Sequence, residues 1–380
     1  MPRLLVIEPF CMRSTPSMKG FMNALPAIRS AGFEVEMWCW RKDEDAAVDR
    51  HVAIPVWPHI HTISIYIFIA MVSLRAFWVF TVLRRPKPDL SYAIAWTFPV
   101  PDICHVHFSQ WDWGEKMRIL GIKTFKDAFH ACTNFIGLSL GRLYIHCWPA
   151  RRYLAVSSAV AADLLNEQSG LNVGVLPNAF DPGRFNLECR SKYREQKRKE
   201  LGYDESHSVF LFASIGHYRR KGFDLAIDAI ALLQQQHPGT RLLVVGGSPD
   251  AIATLHQRVA SKHPDCDTWL KFTGTISDME RYYAAADGLL FPSYSEAFAL
   301  VEIEAAACGL PLFLTKHHGS EMVMEDGKNG LWIDFEPEKI ATTLADYISG
   351  RWKPIPTPLK SALDSEAYAK RLIAEFNALL

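Results

Sequence analysis

Apolar runs alternate with helical stretches along much of the chain. Residues 4–7 and 209–213 are continuously apolar, which is typical of strands that are covered on both faces of a sheet. The stretches that begin near Phe21 and after Gly222 carry apolar residues at helical spacing. This alternation predicts an α/β fold built on parallel sheets.

Residues 295–311 predict a helix between two further strands. The flanking runs 286–292 and 311–315 have strand character, so the three segments form a βαβ unit. We place the start of the helix near Ala297 because Ala, Leu and Glu are good helix formers. Helical spacing then puts Glu304 on an apolar face.

A carboxylate on an apolar face needs a partner, because burying an unpaired charge is costly. For Glu304 two explanations stay open: an ion pair with a neighbouring Arg or Lys, and a polar ligand. Glu296 comes just before the predicted helix. The free backbone N–H groups at a helix N-terminus favour a phosphate.

Length and composition narrow the class of protein. A chain of 380 residues exceeds what one core comfortably holds, so we expect two domains. The 41 Lys and Arg residues balance 41 Asp and Glu residues, which argues against electrostatic binding to nucleic acid. The basic run 190–199 predicts a solvated helix face.

Cysteine and glycine spacing bear on cofactors and location. The eight cysteines lack a C-x-x-C pair or metal-ligand spacing, which predicts reduced thiols in a cytoplasm. The adjacent His317 and His318 lack a third ligand at suitable spacing, so we predict no metal site. No G-x-G-x-x-G sequence supports a dinucleotide cofactor. The chain starts with a short strand, not a long apolar core, so no signal peptide is predicted.

Residues 63–80 form the most apolar segment, and the basic residues Arg84, Arg85 and Lys87 follow it. The segment is almost long enough to span a bilayer, but Arg75 within it argues against spanning. A packed helix is the favoured interpretation. The alternative is an interfacial helix that places residues 63–85 against a membrane surface.

A family resemblance emerges from residues 292–311. Glu296 and Glu304 are separated by seven residues, with Pro-Ser before them, Ala-Phe-Ala-Leu-Val between them and Glu-Ala-x-x-x-Gly-x-Pro at the end. This stretch resembles the E-x7-E signature of family 4 of the retaining glycosyltransferases. The resemblance implies the GT-B fold, in which two Rossmann-like α/β domains face each other across a cleft. We expect an N-terminal acceptor-side domain at 1–171, a nucleotide-sugar domain at 172–358 and a returning helix at 359–380.

The resemblance also implies a set of donor-site residues. Glu304 would hold the ribose hydroxyls, and Glu296 would orient hydroxyls of the donor sugar. Arg220 and Lys221, which precede a Gly as in the family's Lys-Gly pair, would stabilise the leaving diphosphate. The remaining positions that we match to the donor site are Gly216, Arg219, Thr275, Ala297, Phe298, Ala299 and Leu300.

Two N-terminal positions complete the expected site. Gly20 follows the first strand, where the family has a glycine loop that lines the donor and acceptor sites; a plain turn is the alternative. His107 ends the predicted strand that starts near residue 102, and it resembles the family's strand-end histidine that contacts the transferred sugar. His105 on the same face is expected to be a core histidine.

The implied activity is sugar transfer from a UDP- or GDP-type nucleotide diphospho-sugar to a hydroxyl of a glycan or lipid-linked acceptor. The anomeric configuration would be retained, and no separate cofactor is expected. A role in cell-envelope polysaccharide synthesis, in the cytoplasm or at the membrane surface, fits this activity. Two alternatives of the same fold stay open: a non-catalytic sugar-nucleotide binder and a sugar-nucleotide epimerase.

Overall fold

The computed structural model describes residues 1–57, 61–122, 124–355, 357–359 and 361–380. The chain divides into two compact units. The N-terminal unit comprises Met1–Ala179 with the C-terminal segment Ser361–Leu380, and the C-terminal unit comprises Phe180–Lys360.

The described residues alternate strands and helices, as expected for an α/β chain. The strands are β1 Arg3–Ile7, β2 Phe10–Cys11, β3 Glu34–Cys39, β4 Arg41–Lys42, β5 Arg50–Ala53, β6 Leu90–Ile94, β7 Ile103–Val106, β8 Arg152–Ala155, β9 Val173–Val175, β10 Ser208–Ala213, β11 Thr240–Val245, β12 Leu270–Phe272, β13 Gly288–Phe291, β14 Leu312–Leu314 and β15 Gly330–Trp332. The α-helices are α1 Pro16–Ser30, α2 His61–Phe77, α3 Gln110–Leu120, α4 Phe125–Cys147, α5 Ser158–Glu167, α6 Glu188–Leu201, α7 Phe223–Gln234, α8 Pro249–Lys262, α9 Met279–Ala285, α10 Leu300–Ala307, α11 Pro337–Ile348 and α12 Ser365–Asn377. A π-helical turn, Trp78–Val82, continues α2, and short 3₁₀ turns span Cys266–Thr268, Ser320–Met322 and Ser361–Leu363.

Each unit is built on one large parallel sheet. In the N-terminal unit the strand order is β5-β3-β1-β6-β7-β8-β9, and in the C-terminal unit it is β12-β11-β10-β13-β14-β15. The paired strands run parallel throughout both sheets. Because parallel strands are joined by crossover helices that cover both faces, the continuous apolar runs of β1 and β10 become core.

The boundary between the units lies later in the chain than residues 171/172. Residues 173–175 form β9, which pairs with β8 at the edge of the first sheet, so this segment is part of the N-terminal unit. The C-terminal unit begins at Phe180. The return to the N-terminal unit is at Ser361, two residues after the expected position.

Gly20 is half-buried within α1 and does not lie in a glycine loop. A Cβ added there would lie 2.9 Å from Cζ of Tyr368 on α12, closer than side chains normally approach. The missing side chain therefore lets α1 pack against α12, which brings the end of the chain onto the first domain. The prediction that Gly20 lies in a loop is therefore wrong, whereas its role at the donor site stays a prediction.

The basic run 190–199 forms most of α6, and its arginines are turned inward. Arg194 Nη2 lies 2.6 Å from Asp287 Oδ1, and Arg198 Nη1 lies 3.1 Å from Oδ2 of the same carboxylate. Arg194 also donates to the carbonyl of Ala286, 3.0 Å away, just after α9. Unlike the predicted solvated face, this side of α6 donates hydrogen bonds to the last carbonyls of α9 and pairs with Asp287 just before β13.

Helix α2 and the π-helical turn after it carry an apolar surface that the N-terminal unit leaves largely uncovered. The stretch Ile63–Val82 is long and apolar enough to cross a membrane, and 22% of its most apolar window is buried. By length and composition alone this is weak evidence for a membrane span. Arg75 lies within α2. Its guanidinium lies 5.1 Å from the ring centroid of Trp38 on β3.

Candidate active site

Three loops meet at the carboxyl ends of β10, β13 and β14, which are neighbours in the second sheet. The Tyr294 backbone N–H donates to the Arg220 carbonyl at 2.8 Å. The Arg220 guanidinium donates to the Ser295 carbonyl, also at 2.8 Å. These bonds join the loop after β10 to the loop after β13. This edge is where open parallel sheets place their ligands.

Glu296 is the centre of a buried charged cluster in these loops. Its Oε1 lies 3.3 Å from Lys221 Nζ, and its Oε2 lies 3.7 Å from the guanidinium of Arg220. The Ser293 hydroxyl donates to Oε1 at 3.2 Å. The three charged side chains expose only 10 to 15% of their surface. The structure thus brings together three of the four residues that we predicted as catalytic.

The charges of this cluster are mutually dependent. Burial raises the pKa of the Glu296 carboxyl, but Lys221 and Arg220 act more strongly in the opposite direction and bring it to about 2. Burial lowers the pKa of Lys221, and Glu296 opposes that shift. The carboxylate is therefore ionised over the whole physiological range, and it holds two cations together in a largely dry site.

Gly222 makes the placement of Lys221 possible. Its φ is +73°, and a Cβ there would lie 2.0 Å from the Pro292 carbonyl oxygen, so no other residue fits this close approach without a shift of the backbone. Gly222 is the residue from which α7 starts. Lys221 directly precedes Gly222, and its ammonium group lies 4.6 Å from the Phe291 ring centroid at the end of β13. This arrangement suits a cation–π contact.

Helix α10 starts later than the sequence predicts. It spans Leu300–Ala307, with Ala299 in an extended conformation at the N-cap and no side chain capping the helix. Ala297 and Phe298 therefore belong to the loop and not to the first turn, although both are buried. The predicted start near Ala297 is wrong by three residues, because the chain stays extended until Ala299. The first residue of α10, Leu300, is thus four positions after Glu296.

Glu304 is buried in α10, as its position on the apolar face predicted. It is 6% exposed, and the Tyr283 hydroxyl of α9 donates to its Oε2 at 3.3 Å. Burial and the Glu304 charge together raise the pKa of Tyr283 well above its usual value. The tyrosine is therefore a neutral hydrogen-bond donor that orients the carboxylate.

A second buried pair, Glu302 and His317, lies next to this cluster and was not predicted. His317 Nε2 is 3.0 Å from Glu302 Oε1, and the two side chains are 0 and 1% exposed. Burial lowers the pKa of His317, but Glu302 and then Glu296 outweigh it, so the pKa is raised overall. From the sequence, the adjacent histidines were considered only as metal ligands, and no metal site was predicted there. Glu302 precedes Glu304 by two residues and lies on a different side of the helix.

The other predicted donor-site residues lie in loops of the same unit. Gly216 follows β10, and a Cβ there would meet nothing within 4 Å, so the space beside it is open. The Thr275 hydroxyl donates to the Gly247 carbonyl at 3.3 Å, which ties the loop after β12 to the loop after β11. The carbonyl of Arg219 accepts from the Gly222 N–H at 3.2 Å.

His107 follows β7 at the carboxyl edge of the first sheet. Its ring centroid lies 4.1 Å from that of His105. His105 is fully buried, with Nδ1 2.7 Å from the Tyr92 hydroxyl and Nε2 3.2 Å from the Leu176 carbonyl oxygen. Burial lowers the pKa of His105 to about 4. Burial and then His105 lower the pKa of His107 well below its usual value, and the neighbouring Asn178 side chain opposes that shift. Both imidazoles are therefore neutral at physiological pH.

Part of the chain matches a known protein family. Residues 207–349 match the family model described as Glycosyl transferases group 1. A D-inositol 3-phosphate glycosyltransferase of Segniliparus rotundus is 32% identical over 185 residues, which are 47% of this chain and 39% of that protein. Mannosylfructose-phosphate synthase of Agrobacterium fabrum is 29% identical over 201 residues, which are 50% of this chain and 43% of that protein. The chain thus matches less than half the length of these curated relatives.

Solved structures match the chain over nearly its full length. WaaG, a glycosyltransferase involved in lipopolysaccharide biosynthesis, superposes with a TM-score of 0.72 at 20% identity, covering 98% of this chain and 95% of WaaG. Anabaena Alr3699/HepE in complex with UDP-glucose gives a TM-score of 0.71 at 17% identity, covering all of both chains. The protein therefore has the predicted GT-B fold, with two Rossmann-like α/β domains. Residues 207–349 of its C-terminal unit match group 1 glycosyl transferases, in keeping with the glycosyltransferase resemblance drawn from the sequence.

Proposed function

We propose that the protein is a retaining glycosyltransferase that moves a sugar from a nucleotide diphospho-sugar to a hydroxyl group. The observation that carries the proposal is the buried cluster of Glu296, Lys221 and Arg220 at the carboxyl edge of the second sheet. A leaving nucleoside diphosphate develops negative charge, and cations that are already fixed in a dry site stabilise that charge without reorganisation. The match of residues 207–349 to group 1 glycosyl transferases supports the same reaction.

Within this proposal each residue has a role taken from the family resemblance. Lys221 and Arg220 stabilise the diphosphate, together with the uncapped start of α10. Glu304 accepts hydrogen bonds from the ribose hydroxyls, and Glu296 orients hydroxyls of the donor sugar. His107 contacts the transferred sugar as a neutral imidazole, in keeping with its lowered pKa.

The reaction then needs no nucleophile from the protein. An oxygen of the leaving diphosphate accepts the proton of the acceptor hydroxyl as the new glycosidic bond forms, so the new bond is on the face that the diphosphate leaves. Glu296 stays ionised throughout because of its two cations. The protein's contribution is the fixed charge and the orientation of the donor.

A UDP-type donor and a cell-envelope acceptor fit the relatives best. The Anabaena structure holds UDP-glucose, and WaaG acts in lipopolysaccharide biosynthesis. We therefore propose a UDP-sugar, with a GDP-sugar as the next candidate, and a glycan or lipid-linked hydroxyl as the acceptor. No metal or further cofactor enters this proposal.

The decisive experiment is a panel of nucleotide sugars, tested first for binding and then for turnover. A bound donor raises the melting temperature by mass action, and that shift should be lost or reduced in Lys221→Ala. The control variant Lys353→Ala changes an exposed lysine of the same unit and should behave as the wild type. If no donor stabilises the protein, the proposal is refuted.

A non-catalytic sugar-nucleotide binder is the second candidate. The observation in its favour is the pair of buried residues Ala297 and Ala299, which stand where the family has glycines. Their methyl groups crowd the approach of a phosphate to the backbone. Product analysis separates the candidates: a glycosylated acceptor with released nucleoside diphosphate identifies the enzyme, whereas donor stabilisation with neither product identifies the binder.

We further propose a peripheral contact between residues 63–85 and the cytoplasmic surface of a membrane. Leu74, Phe77 and Trp78 are 67, 60 and 56% exposed, and Arg84 and Arg85 follow them. An apolar surface with a basic end suits an interface with anionic lipid. The eight free cysteines are in keeping with a cytoplasmic location.

Vesicle sedimentation tests this contact. The double variant Phe77→Ser, Trp78→Ser should lose binding to vesicles of phosphatidylcholine and phosphatidylglycerol, since it removes two apolar anchors. The control Ile355→Ser removes an exposed apolar side chain of the C-terminal unit and should bind as the wild type does. Equal binding by the double variant and the wild type would contradict the contact.

A further inference from the structure

A cavity of about 250 Å³ is lined by residues of the first sheet, of α2 and of the π-helical turn that follows α2. Four arginines line it: Arg3 and Arg50 from the starts of β1 and β5, Arg75 from α2, and Arg85 from the segment after the π-helical turn. Glu36 of β3 is the acidic residue in the lining. Because it involves the starts of strands, the cavity is away from the carboxyl edge where His107 lies.

Most of the positive charge around this cavity is not neutralised. Glu36 Oε2 lies 3.8 Å from the guanidinium of Arg50, and Glu36 Oε1 accepts a hydrogen bond from the Trp38 indole at 2.7 Å. The Arg3 guanidinium donates to backbone carbonyls of residues 86 and 87, which bring no charge. Within the described part of the chain, neither Arg75 nor Arg85 has an acidic partner.

Arg75 is held in place without a hydrogen-bond acceptor for one of its donors. Its Nε is buried and has no hydrogen-bond partner among the described residues. The guanidinium packs 5.1 Å from the Trp38 ring centroid, and Trp38 stacks on Phe80 at 5.8 Å with the planes 5° apart. An aromatic stack thus fixes an unsatisfied cation at the cavity wall, and a buried donor without an acceptor is costly.

We propose that this cavity binds a phosphate group. Guanidinium groups pair with phosphate oxygens through two parallel hydrogen bonds, and several arginines around one small space suit a multiply charged tetrahedral anion. The bound anion would offset the repulsion between the arginines. This site is separate from the donor diphosphate site and does not depend on glycosyl transfer.

Two sources could supply the phosphate, namely a lipid head group and a soluble phosphate. The exposed Phe77 and Trp78 of the same helical segment adjoin the cavity-lining residues Val79 and Phe80 along the chain. An apolar surface beside a phosphate site is what a phospholipid would contact with its chains and head group together. A soluble phosphate needs the cavity alone.

The test uses a matched pair of variants of the full chain, Arg85→Gln and Arg84→Gln. The two arginines are adjacent and both exposed, and they lose the same charge, but only Arg85 lines the cavity. Inorganic phosphate is titrated at constant ionic strength and followed by ³¹P NMR line broadening. Arg85→Gln should weaken phosphate binding about fivefold or more, and Arg84→Gln should stay within about twofold of the wild type. Arg75→Gln serves as a second cavity variant.

Each outcome decides the matter. Phosphate binding that is unchanged in both Arg85→Gln and Arg75→Gln would place the phosphate elsewhere, for example at Lys221, and overturn the proposal, as would no binding at all. Vesicles of phosphatidylcholine with and without phosphatidic acid then separate the sources. Phosphatidic acid vesicles that displace inorganic phosphate, and that bind Arg85→Gln weakly, identify a lipid head group. If the vesicles do not displace inorganic phosphate and the protein still binds it, the ligand is a soluble phosphate.

Discussion

Replacing Glu296 by Gln should remove a large, pH-dependent contribution to the stability of the protein. The side chain is 10% exposed and lies 3.3 Å from Lys221 and 3.7 Å from Arg220. Its pKa is about 2, against a usual value of 4.5. A depressed pKa in the folded state means that the folded protein gains stability when the carboxyl ionises. That gain is complete above the unfolded pKa and is lost as the pH falls through the folded pKa.

The magnitude follows from the size of the shift. At about 1.4 kcal/mol per pKa unit, the ionised Glu296 contributes about 3 kcal/mol to the free energy of unfolding at pH 7. By pH 3.5 roughly 40% of this contribution should be gone, because the unfolded carboxyl is then largely protonated. The glutamine variant cannot ionise and should show no such loss at this position.

Equilibrium urea denaturation at pH 7 and pH 3.5 measures the effect. We expect Glu296→Gln to be less stable than the wild type at pH 7 by about 3 kcal/mol, and this difference to shrink to about half at pH 3.5. Glu338→Gln, which changes an exposed carboxylate of α11, should follow the wild type at both values. A stability difference between Glu296→Gln and the wild type that does not change with pH would refute the reasoning.

Three further substitutions test the site and its limits. Glu304→Gln should weaken the binding of the nucleoside diphosphate about tenfold, as expected for the loss of a charged acceptor; calorimetry that gives an unchanged Kd would contradict the ribose role. Lys221→Ala should lower kcat by more than it raises the donor Kd, because its charge acts chiefly on the leaving diphosphate; an effect confined to Kd would count against this. Gly20→Ala should cost about 1 to 3 kcal/mol of stability through its clash with Tyr368 and leave the nucleotide Kd unchanged, whereas a weaker Kd would return Gly20 to the donor site.

The elements of the fold were largely accessible from the sequence because parallel strands leave a strong local signal. Runs such as 209–213 are apolar at every position, which is typical of a short strand covered on both faces of a sheet. The boundary near residue 171 was less accessible. The segment 173–175 is too short to carry a pattern of its own, and its place in the first sheet depends on pairing with β8. The pairing of two distant segments cannot be predicted from the sequence of either segment alone.

Some charged residues of the candidate site were predicted from the sequence, and others were not. Glu296, Glu304 and Lys221 were found because they stand at fixed spacings in a short stretch or beside a glycine. Glu302 and His317 were not found, although they are paired at 3.0 Å. Their contact depends on the loop after β14, which turns at Gly319 with φ +84°, and no local pattern predicts where such a loop points its side chains.

The arginines of α6 and α2 show that a local sequence pattern can locate a charged side chain without predicting which residue it contacts. The basic run of α6 suggested a solvated face, and Arg75 in α2 suggested an obstacle to burial in an apolar environment. In the structure the Arg198 side chain is 2% exposed and pairs with Asp287. The Arg75 guanidinium packs against the Trp38 ring. A long side chain can bury its stem and place its charge several ångströms from its own helix. The sheet that packs against each helix therefore determines the partner, which is an acid for Arg198 and an aromatic ring for Arg75.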